Sequence, residues 1–480
     1  MTGAATRQPS ARRALGWSFA NTAIGKFGTL LIGIVIARVL GPDEFGTYAI
    51  AMVALAAVLS FNELGVSLAI VRWQEDPRLI APTVTTISVG ASVLVFAVGW
   101  ILAPGFASAM GDASAAPVVQ VMLLCVPLNG LVATAAAGMQ REYQQGRRTI
   151  ADQVNTWLGA GLSVLLALAG LGAMSLAIGR IVAAVVFSGM LLAFSPLPLR
   201  FGWDREYIRP LLRFGLPLAG ASIIVFAVGY ADQFVVGAVL GAQALGFYLL
   251  AFNLASWPVA MLSQPVRAVA PAAFARVQTA PDRMDSGFRS AARVLMAIAL
   301  PMCAFLAGAA LPVVTFVYGA PWAPAALALQ WLALQGAVRI AFELAYDFLA
   351  VKRKSATLLG IQVAWLVLLV PAVLFGAQLD GIAGVAAAQA LTAAIVLIAG
   401  YGWALRAASV RVGTLARALL VPLLGGAVVG VGSAVLAARI AVDLWAAVAA
   451  GVLAVVVAAG VLALSRRDIA ALGSARQGTS

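Results

Sequence analysis

Arg38-Val39-Leu40-Gly41-Pro42-Asp43-Glu44-Phe45-Gly46-Thr47-Tyr48 has a second edition two hundred residues later, Ala238-Val239-Leu240-Gly241-Ala242-Gln243-Ala244-Leu245-Gly246-Phe247-Tyr248. Leu, Gly, Gly and Tyr keep their places, and both copies sit where one long apolar run ends and the next begins. A membrane chain built from two copies of one helical unit is expected to form two lobes around a central cavity, the usual architecture of a transporter.

Composition leaves little with which to face water. Of the 480 residues, 63% are hydrophobic and 10% are charged, against about 25% charged in a soluble domain. Mean hydropathy is +1.00. The apolar runs reach the roughly 20 residues that cross a bilayer. They predict an all-α polytopic membrane protein of about fourteen transmembrane helices, near 14–38, 45–70, 80–103, 117–139, 151–170, 174–195, 214–238, 245–266, 294–317, 323–350, 356–376, 381–403, 418–437 and 444–464. Strands are not expected, because lipid-facing strands alternate apolar and polar residues and these runs do not.

Charge follows the predicted topology. The net charge of +13 could suggest nucleic acid, but 26 of the 31 Lys and Arg fall on one side of the predicted membrane. The opposite loops hold only Arg38 and Arg439, and Lys26, Arg180 and Arg339 remain within spans. The positive-inside rule then places both termini in the cytoplasm. The apolar stretch after Arg7, Arg12 and Arg13 is too long for a cleaved signal core, so the first helix is expected to stay. Cys125 and Cys303 each lie in an apolar span and read as small core residues. There is no histidine, which removes His-based metal sites and His general bases. No cofactor is expected.

The repeat extends past the opening pair. Arg72 and Gln74 answer to Arg276 and Gln278, and Gly111, Thr149 and Trp157 answer to Gly319, Thr357 and Trp365. Each copy spans six helices, so the copies are parallel, with residues 1–200 as a first lobe, 201–405 as a second, and 406–480 as two further helices and a tail. Between the lobes, Arg205, Arg209 and Arg213 fall at i, i+4 and i+8. They read either as a short interfacial helix turned to anionic lipid heads or as a plain basic loop. Pro127, Pro217, Pro258, Pro265, Pro301 and Pro312 interrupt apolar spans. Trp17, Trp100, Trp203, Trp257, Trp322 and Trp403 lie near span ends and read as interface anchors.

Ala37-Arg38-Val39-Leu40-Gly41-Pro42-Asp43-Glu44-Phe45-Gly46 resembles the first-loop motif of bacterial polysaccharide flippases, the Wzx-like branch of the multidrug/oligosaccharidyl-lipid/polysaccharide exporter superfamily. Glu63-Leu64-Gly65 with Val71-Arg72, Gln140-Arg141-Glu142, and Phe214-Gly215-Leu216-Pro217 through Ala231-Asp232-Gln233 are similar to later family segments in the same order. The resemblance covers most of residues 14–400. It implies a MATE-like fold of two six-helix bundles around a cavity, with two helices outside. It also implies alternating access and a bacterial inner-membrane location. The implied cargo is a lipid-linked oligosaccharide of the undecaprenyl-diphosphate type, moved from inner to outer leaflet for cell-surface or exopolysaccharide synthesis. A polysaccharide polymerase and export machinery are the implied partners.

Charges at membrane depth are costly and usually face a cavity or a partner. Arg339, Glu343 and Asp347 are spaced i, i+4, i+8 and share one helix face. They read as an Arg339–Glu343 ion pair, as a polar stripe along a cavity, or as both. Lys26, Arg180 and Arg339 form the candidate anion site, since fixed cations in a wet cavity offset the cost of carrying two phosphates through hydrocarbon. The alternative for Lys26 is a structural pair with Asp232 or Glu63. Asp232 is the candidate for coupling to H⁺ or Na⁺. Glu63, Glu343 and Asp347 are candidate cavity ion-pair partners.

Three other functions compete. A cation-coupled multidrug exporter would call for an acidic cavity without central Lys and Arg. A peptidoglycan-precursor flippase is a close variant. A membrane glycan polymerase or glycosyltransferase needs an acid/base or metal constellation in an aqueous loop, and the longest outer loop, near 104–117, holds only Asp112. Transport rather than catalysis is therefore expected.

Overall fold

A computed structural model of the chain describes residues 11–62, 65–72, 76–276, 281–352, 354–466 and 468, with side chains from residue 32 onward except 61–62, 218, 221, 264–276, 281–283 and 355. The described chain is helical, without a strand among these residues. In order the helices are α1 (Ala11–Asn62), α2 (Ser67–Arg72), α3 (Pro77–Ala109), α4 (Ala116–Leu123), α5 (Cys125–Arg141), α6 (Gln145–Leu168), α7 (Met174–Phe194) and α8 (Arg205–Leu240). They continue as α9 (Ala242–Arg276), α10 (Pro281–Gly308), α11 (Ala310–Tyr318), α12 (Ala325–Val351), α13 (Ser355–Ile395), α14 (Gly402–Ala407), α15 (Val412–Arg439) and α16 (Asp443–Leu464). A π-helical turn, Val396–Tyr401, joins α13 to α14.

These helices make the fourteen passes read from hydropathy. Two long helices are each folded into two. In α1 the break is Gly41, with φ 71° and ψ 178°, and Pro42 opens the second half. Glycine alone takes that φ without strain, and proline suits the first position of a helix because its missing N–H would have no partner there. In α13 the break is Asp380-Gly381. Among the described residues, eleven runs are long and apolar enough to cross a membrane. One of them, Ala356–Ala407, is the doubled α13–α14 stretch. Helix α6 is not among the eleven; it starts on Arg147, Arg148 and Asp152.

Backbone geometry repeats where the sequence does. Gly41 and Gly241, Gly111 and Gly319, and Gly172 and Gly381 all have positive φ. The three pairs are separated by 200, 208 and 209 residues; Gly41, Gly111, Gly172, Gly241 and Gly319 fall in expected outer loops, and Gly381 is the first residue of the expected span 381–403.

Prolines act less as breaks than expected. Pro217 and Pro301 stand inside continuous helices. Pro127 and Pro312 are each third residues of a helix, just after the breaks at Leu124 and Ala309. There the ring clashes with no preceding turn. The expected short helix between the lobes is the first part of α8, which runs unbroken from Arg205 through Pro210 and Pro217 into the membrane run.

The chain divides into two compact units. The first holds residues 1–44, 58–103 and 116–219. Its core gathers Ile70, Ile80, Val84, Leu197 and Leu211, with Phe214 packed alongside. Helices α6 and α7 close on small residues: a Cβ on Gly179 would lie 2.8 Å from the carbonyl oxygen of Gly159. The Oε2 of Glu44 accepts the N–H of Ala173 at 2.6 Å, just ahead of α7, where an anion meets the positive end of a helix.

The second unit holds residues 45–57, 104–115 and 220–480. Within it, Trp322 is 1% exposed and meets Phe45 and Phe247 edge-on, at centroid distances of 5.3 and 5.9 Å. Trp322 is therefore a core residue and not an interface anchor. Trp100, Trp203 and Trp403 are exposed as anchors should be. A Cβ on Gly111 would lie 2.8 Å from the Cα of Gly241, so these two loops touch backbone to backbone. Helix α15 lies against α10 through Gly426, Gly430 and Ser433 opposite Leu300, Ala304 and Gly308. Three polar contacts fasten the last helices to this unit. Thr315 donates to Asp443 at 2.7 Å, the Arg411 N–H donates to Asp285 at 3.1 Å, and Arg293 pairs with Asp468 at 2.8 Å.

Candidate functional site

Gly241 turns α8 back into α9, so residues at similar distances before and after it lie at similar depth. Asp232 is nine positions before the turn and Tyr248 seven after. At 1.5 Å per residue both sit roughly 10–14 Å in. The Tyr248 hydroxyl donates to Oδ2 of Asp232 at 2.7 Å, and the Gln233 N–H donates to its Oδ1 at 2.9 Å. Asp232 and Tyr248 have no exposed surface, and Gln233 is buried beside them. A buried carboxylate needs such donors, because leaving it unsolvated and unbonded is far more costly.

Arg339 stands midway along α12. Its Nε donates to Oε1 of Glu343 at 3.2 Å, the i,i+4 pair expected from spacing. The Arg339 side chain keeps 43% of its surface open while Glu343 is mostly covered, so the pair leaves part of the guanidinium free to meet a second anion. Asp347, one turn further along the same face, is buried. Beside the stripe, Phe342 packs against Trp365 at 5.1 Å and Tyr401 at 4.5 Å, giving this part of α12 an aromatic flank.

The remaining expected residues are placed as follows. Arg180 lies on α7 of the first unit and is exposed. The Lys26 side chain and Glu63 lie outside the described residues. Cys125 and Cys303 are both buried, as read from sequence. No cluster of three or more metal-ligating side chains occurs among the described residues.

Three contacts went unread in the sequence. Tyr248 was visible as the repeated tyrosine, but its partner was not. Glu44 carried a signal as an acid in the first turn after Pro42, yet it serves α7 rather than its own helix. Asp112 accepts from the hydroxyls of Thr47, at 2.6 Å, and Ser114, and from the N–H of Ser114 at 2.9 Å. That joins the second half of α1 to the loop ahead of α4.

The geometry can hold an anion beside Arg339 and a buried carboxylate at Asp232. It offers no nucleophile–base pair among the described residues that these groups would complete.

A family model described as "Polysaccharide biosynthesis protein" matches residues 35–327, more than half of the chain. The succinoglycan biosynthesis transport protein ExoT of Rhizobium meliloti (strain 1021) is 26% identical over 393 residues, 82% of this chain and 79% of that protein. The lipopolysaccharide biosynthesis protein WzxC of Escherichia coli (strain K12) is 24% identical over 369 residues, 76% of this chain and 75% of its own. Among solved structures, the lipid II flippase MurJ in an inward closed conformation superposes with a TM-score of 0.78 at 12% identity, over 93% of this chain and 99% of that one. An inward-facing multidrug resistance MATE family transporter of the MOP superfamily gives 0.65 at 17% identity, over 81% and 94%. At such identities the structural likeness is one of fold.

Proposed function

The chain belongs to the family of polysaccharide biosynthesis proteins, and on that premise we propose that it is an alternating-access flippase for a lipid-linked oligosaccharide. The cargo is of the undecaprenyl-diphosphate type and passes from the inner to the outer leaflet during cell-surface or exopolysaccharide synthesis. The observation that carries this reading is the family match over residues 35–327, joined to relatives named for succinoglycan transport and lipopolysaccharide biosynthesis. The multi-pass fold agrees with it. Its likeness extends to both MurJ and a multidrug transporter, so fold alone does not choose the cargo.

In this proposal the membrane is the bacterial inner membrane, with both termini cytoplasmic. Residues 1–200 and 201–405 are the two moving lobes. Residues 406–480 travel with the second, in keeping with the Arg293–Asp468 and Thr315–Asp443 contacts. A polymerase and export machinery take the product onward, and the protein itself leaves the glycan chemically unchanged.

Arg339, Arg180 and Lys26 are proposed to meet the diphosphate. The partly open guanidinium of Arg339 supports this, because a bidentate fork suits phosphate oxygens and is only half engaged by Glu343. Asp232 is proposed to couple transport to H⁺ or Na⁺, supported by complete burial of its carboxylate against Tyr248 and Gln233. Deleting the gene tests the reading: the lipid-linked glycan should accumulate on the inner leaflet, and Arg339→Ala should fail to restore export while reaching the membrane normally.

A further inference from the structure

The stretch joining the two copies is an ordered strap on the first unit, not a loose tether. After α7 the chain runs without helix over residues 195–204. Thr86 Oγ1 donates to the Gly202 carbonyl at 2.8 Å and accepts the Gly202 N–H at 3.0 Å. Thr83 Oγ1 accepts the Asp204 N–H at 3.2 Å. A Cβ on Gly202 would come within 2.7 Å of the Pro82 Cβ, so the backbone lies directly on α3. Leu197 and, beyond the strap, Leu211 on α8 insert into the core with Ile80 and Val84. The Asp204 carboxylate accepts the Glu206 N–H and caps α8.

That fixing determines what faces outward. Leu199, Phe201 and Trp203 alternate along the extended strap and are exposed, Phe201 at 60% and Trp203 at 64%. Between and after them come exposed Arg200, Arg205, Arg209 and Arg213. No ion pair among the described residues engages any of the four guanidinium groups. Thr83 and Thr86 lie six and nine residues into α3. At 1.5 Å per residue the strap crosses roughly 10 Å inside the helix start. An aromatic and aliphatic edge at that depth, flanked by a stripe of cations, matches the boundary between acyl chains and headgroups.

We propose that residues 199–213 form a docking surface for acidic phospholipid, with Phe201 and Trp203 seated among acyl chains and Arg200, Arg205, Arg209 and Arg213 on lipid phosphates. The leaflet, the cytoplasmic one, follows from the orientation proposed above; the binding itself does not depend on it. Charge complementarity selects the occupant, since four guanidinium groups outnumber the exposed carboxylates of Asp204 and Glu206 on the same surface and favour phosphatidylglycerol over a zwitterionic lipid.

The test uses purified full-length protein in detergent, titrated with phosphatidylglycerol or phosphatidylcholine, with bound lipid counted by native mass spectrometry and Tm followed in parallel. Wild type should bind phosphatidylglycerol preferentially and gain Tm from it. The variant R205Q/R209Q/R213Q should bind it at least about tenfold more weakly, with an unchanged Tm in phosphatidylcholine. R439Q, an exposed arginine at the far end of α15, should bind as wild type does. Equal binding of both lipids by wild type, or undiminished phosphatidylglycerol binding by the triple variant, overturns the proposal. Full displacement of the lipid by inorganic diphosphate also overturns it, pointing instead to a site for the free anion. Should the triple variant misfold, R205Q and R209Q singly carry the same test, each about threefold to fivefold weaker. None of these readouts involves glycan export, so they fail or succeed independently of the flippase reading.

Discussion

The Tyr248 phenol donates a 2.7 Å hydrogen bond to Oδ2 of Asp232, and neither side chain has any exposed surface. A hydrogen bond to a charged group is worth about 1.5–3 kcal/mol, and a buried acceptor stripped of its donor loses most of that. Tyr248→Phe should therefore destabilise the protein by about 2 kcal/mol, read as a lower Tm in detergent. Asp232→Asn keeps a neutral acceptor for the phenol and should fold, yet it should lose any dependence of transport on H⁺ or Na⁺. An ion-dependent rate that survives in Asp232→Asn removes Asp232 from coupling.

Arg339 and Glu343 form an i,i+4 pair in which the Arg339 side chain stays 43% exposed. Such partly exposed pairs contribute about 0.3–0.5 kcal/mol, so the pair is a poor stability element. A double-mutant cycle over Arg339→Ala and Glu343→Ala should give a coupling below about 1 kcal/mol in unfolding. In transport the two should separate, with Glu343→Gln active and Arg339→Ala inactive. Equal loss in both would reduce Arg339 to a structural partner.

Asp112 lies between membrane runs. Burial pushes its carboxyl up, but hydrogen bonds from Ser114, Thr47 and the N–H groups of Ser114 and Ala115 outweigh that and hold it below its ordinary 3.8. The folded value is the lower one, so the ionised carboxylate stabilises the fold fully above the unfolded value. That stability is lost as pH falls through the folded value. Asp112→Asn should cost about 1 kcal/mol near neutrality and flatten the acid loss. Thermal unfolding between about pH 2 and 7 reads both effects. An unaltered acid slope in the variant would show that the bonds to Asp112 contribute nothing.

Gly111 combines a φ of 83° with backbone contact against Gly241. An alanine there is strained by about 1–2 kcal/mol from the left-handed backbone, and its methyl has only main chain to push against. Gly111→Ala should lower Tm, whereas Gly105→Ala, whose Cβ would meet nothing within 4 Å, should raise it or leave it unchanged.

Much of this architecture was legible before any coordinates, for physical reasons. A chain so apolar must place its helices across lipid, and a glycine that recurs at matched positions marks a turn that both copies need. Gly41 and Gly111 show this, recurring as Gly241 and Gly319 with positive φ at all four turns. Pro217 is less informative, because a proline expected to interrupt its span stands inside a helix that runs on unbroken. In the candidate site, Arg339–Glu343 was readable because helical spacing alone sets it. Asp232–Tyr248 was half readable, since Gly241 brings the two to one depth but says nothing of which faces meet. Glu44 with Ala173 spans 129 positions of sequence and could not be read from local pattern.

The account rests on movement of a diphosphate-linked glycan across the bilayer. Proteoliposomes carrying the purified protein and a fluorescent undecaprenyl-diphosphate oligosaccharide, probed with a membrane-impermeant quencher, measure that movement directly. The account predicts protein-dependent exposure of inner-leaflet label, loss of that exposure in Arg339→Ala, and recovery of the lipid chemically intact. Label that stays protected at the protein-free rate, or a glycan recovered polymerised or transferred, would contradict it.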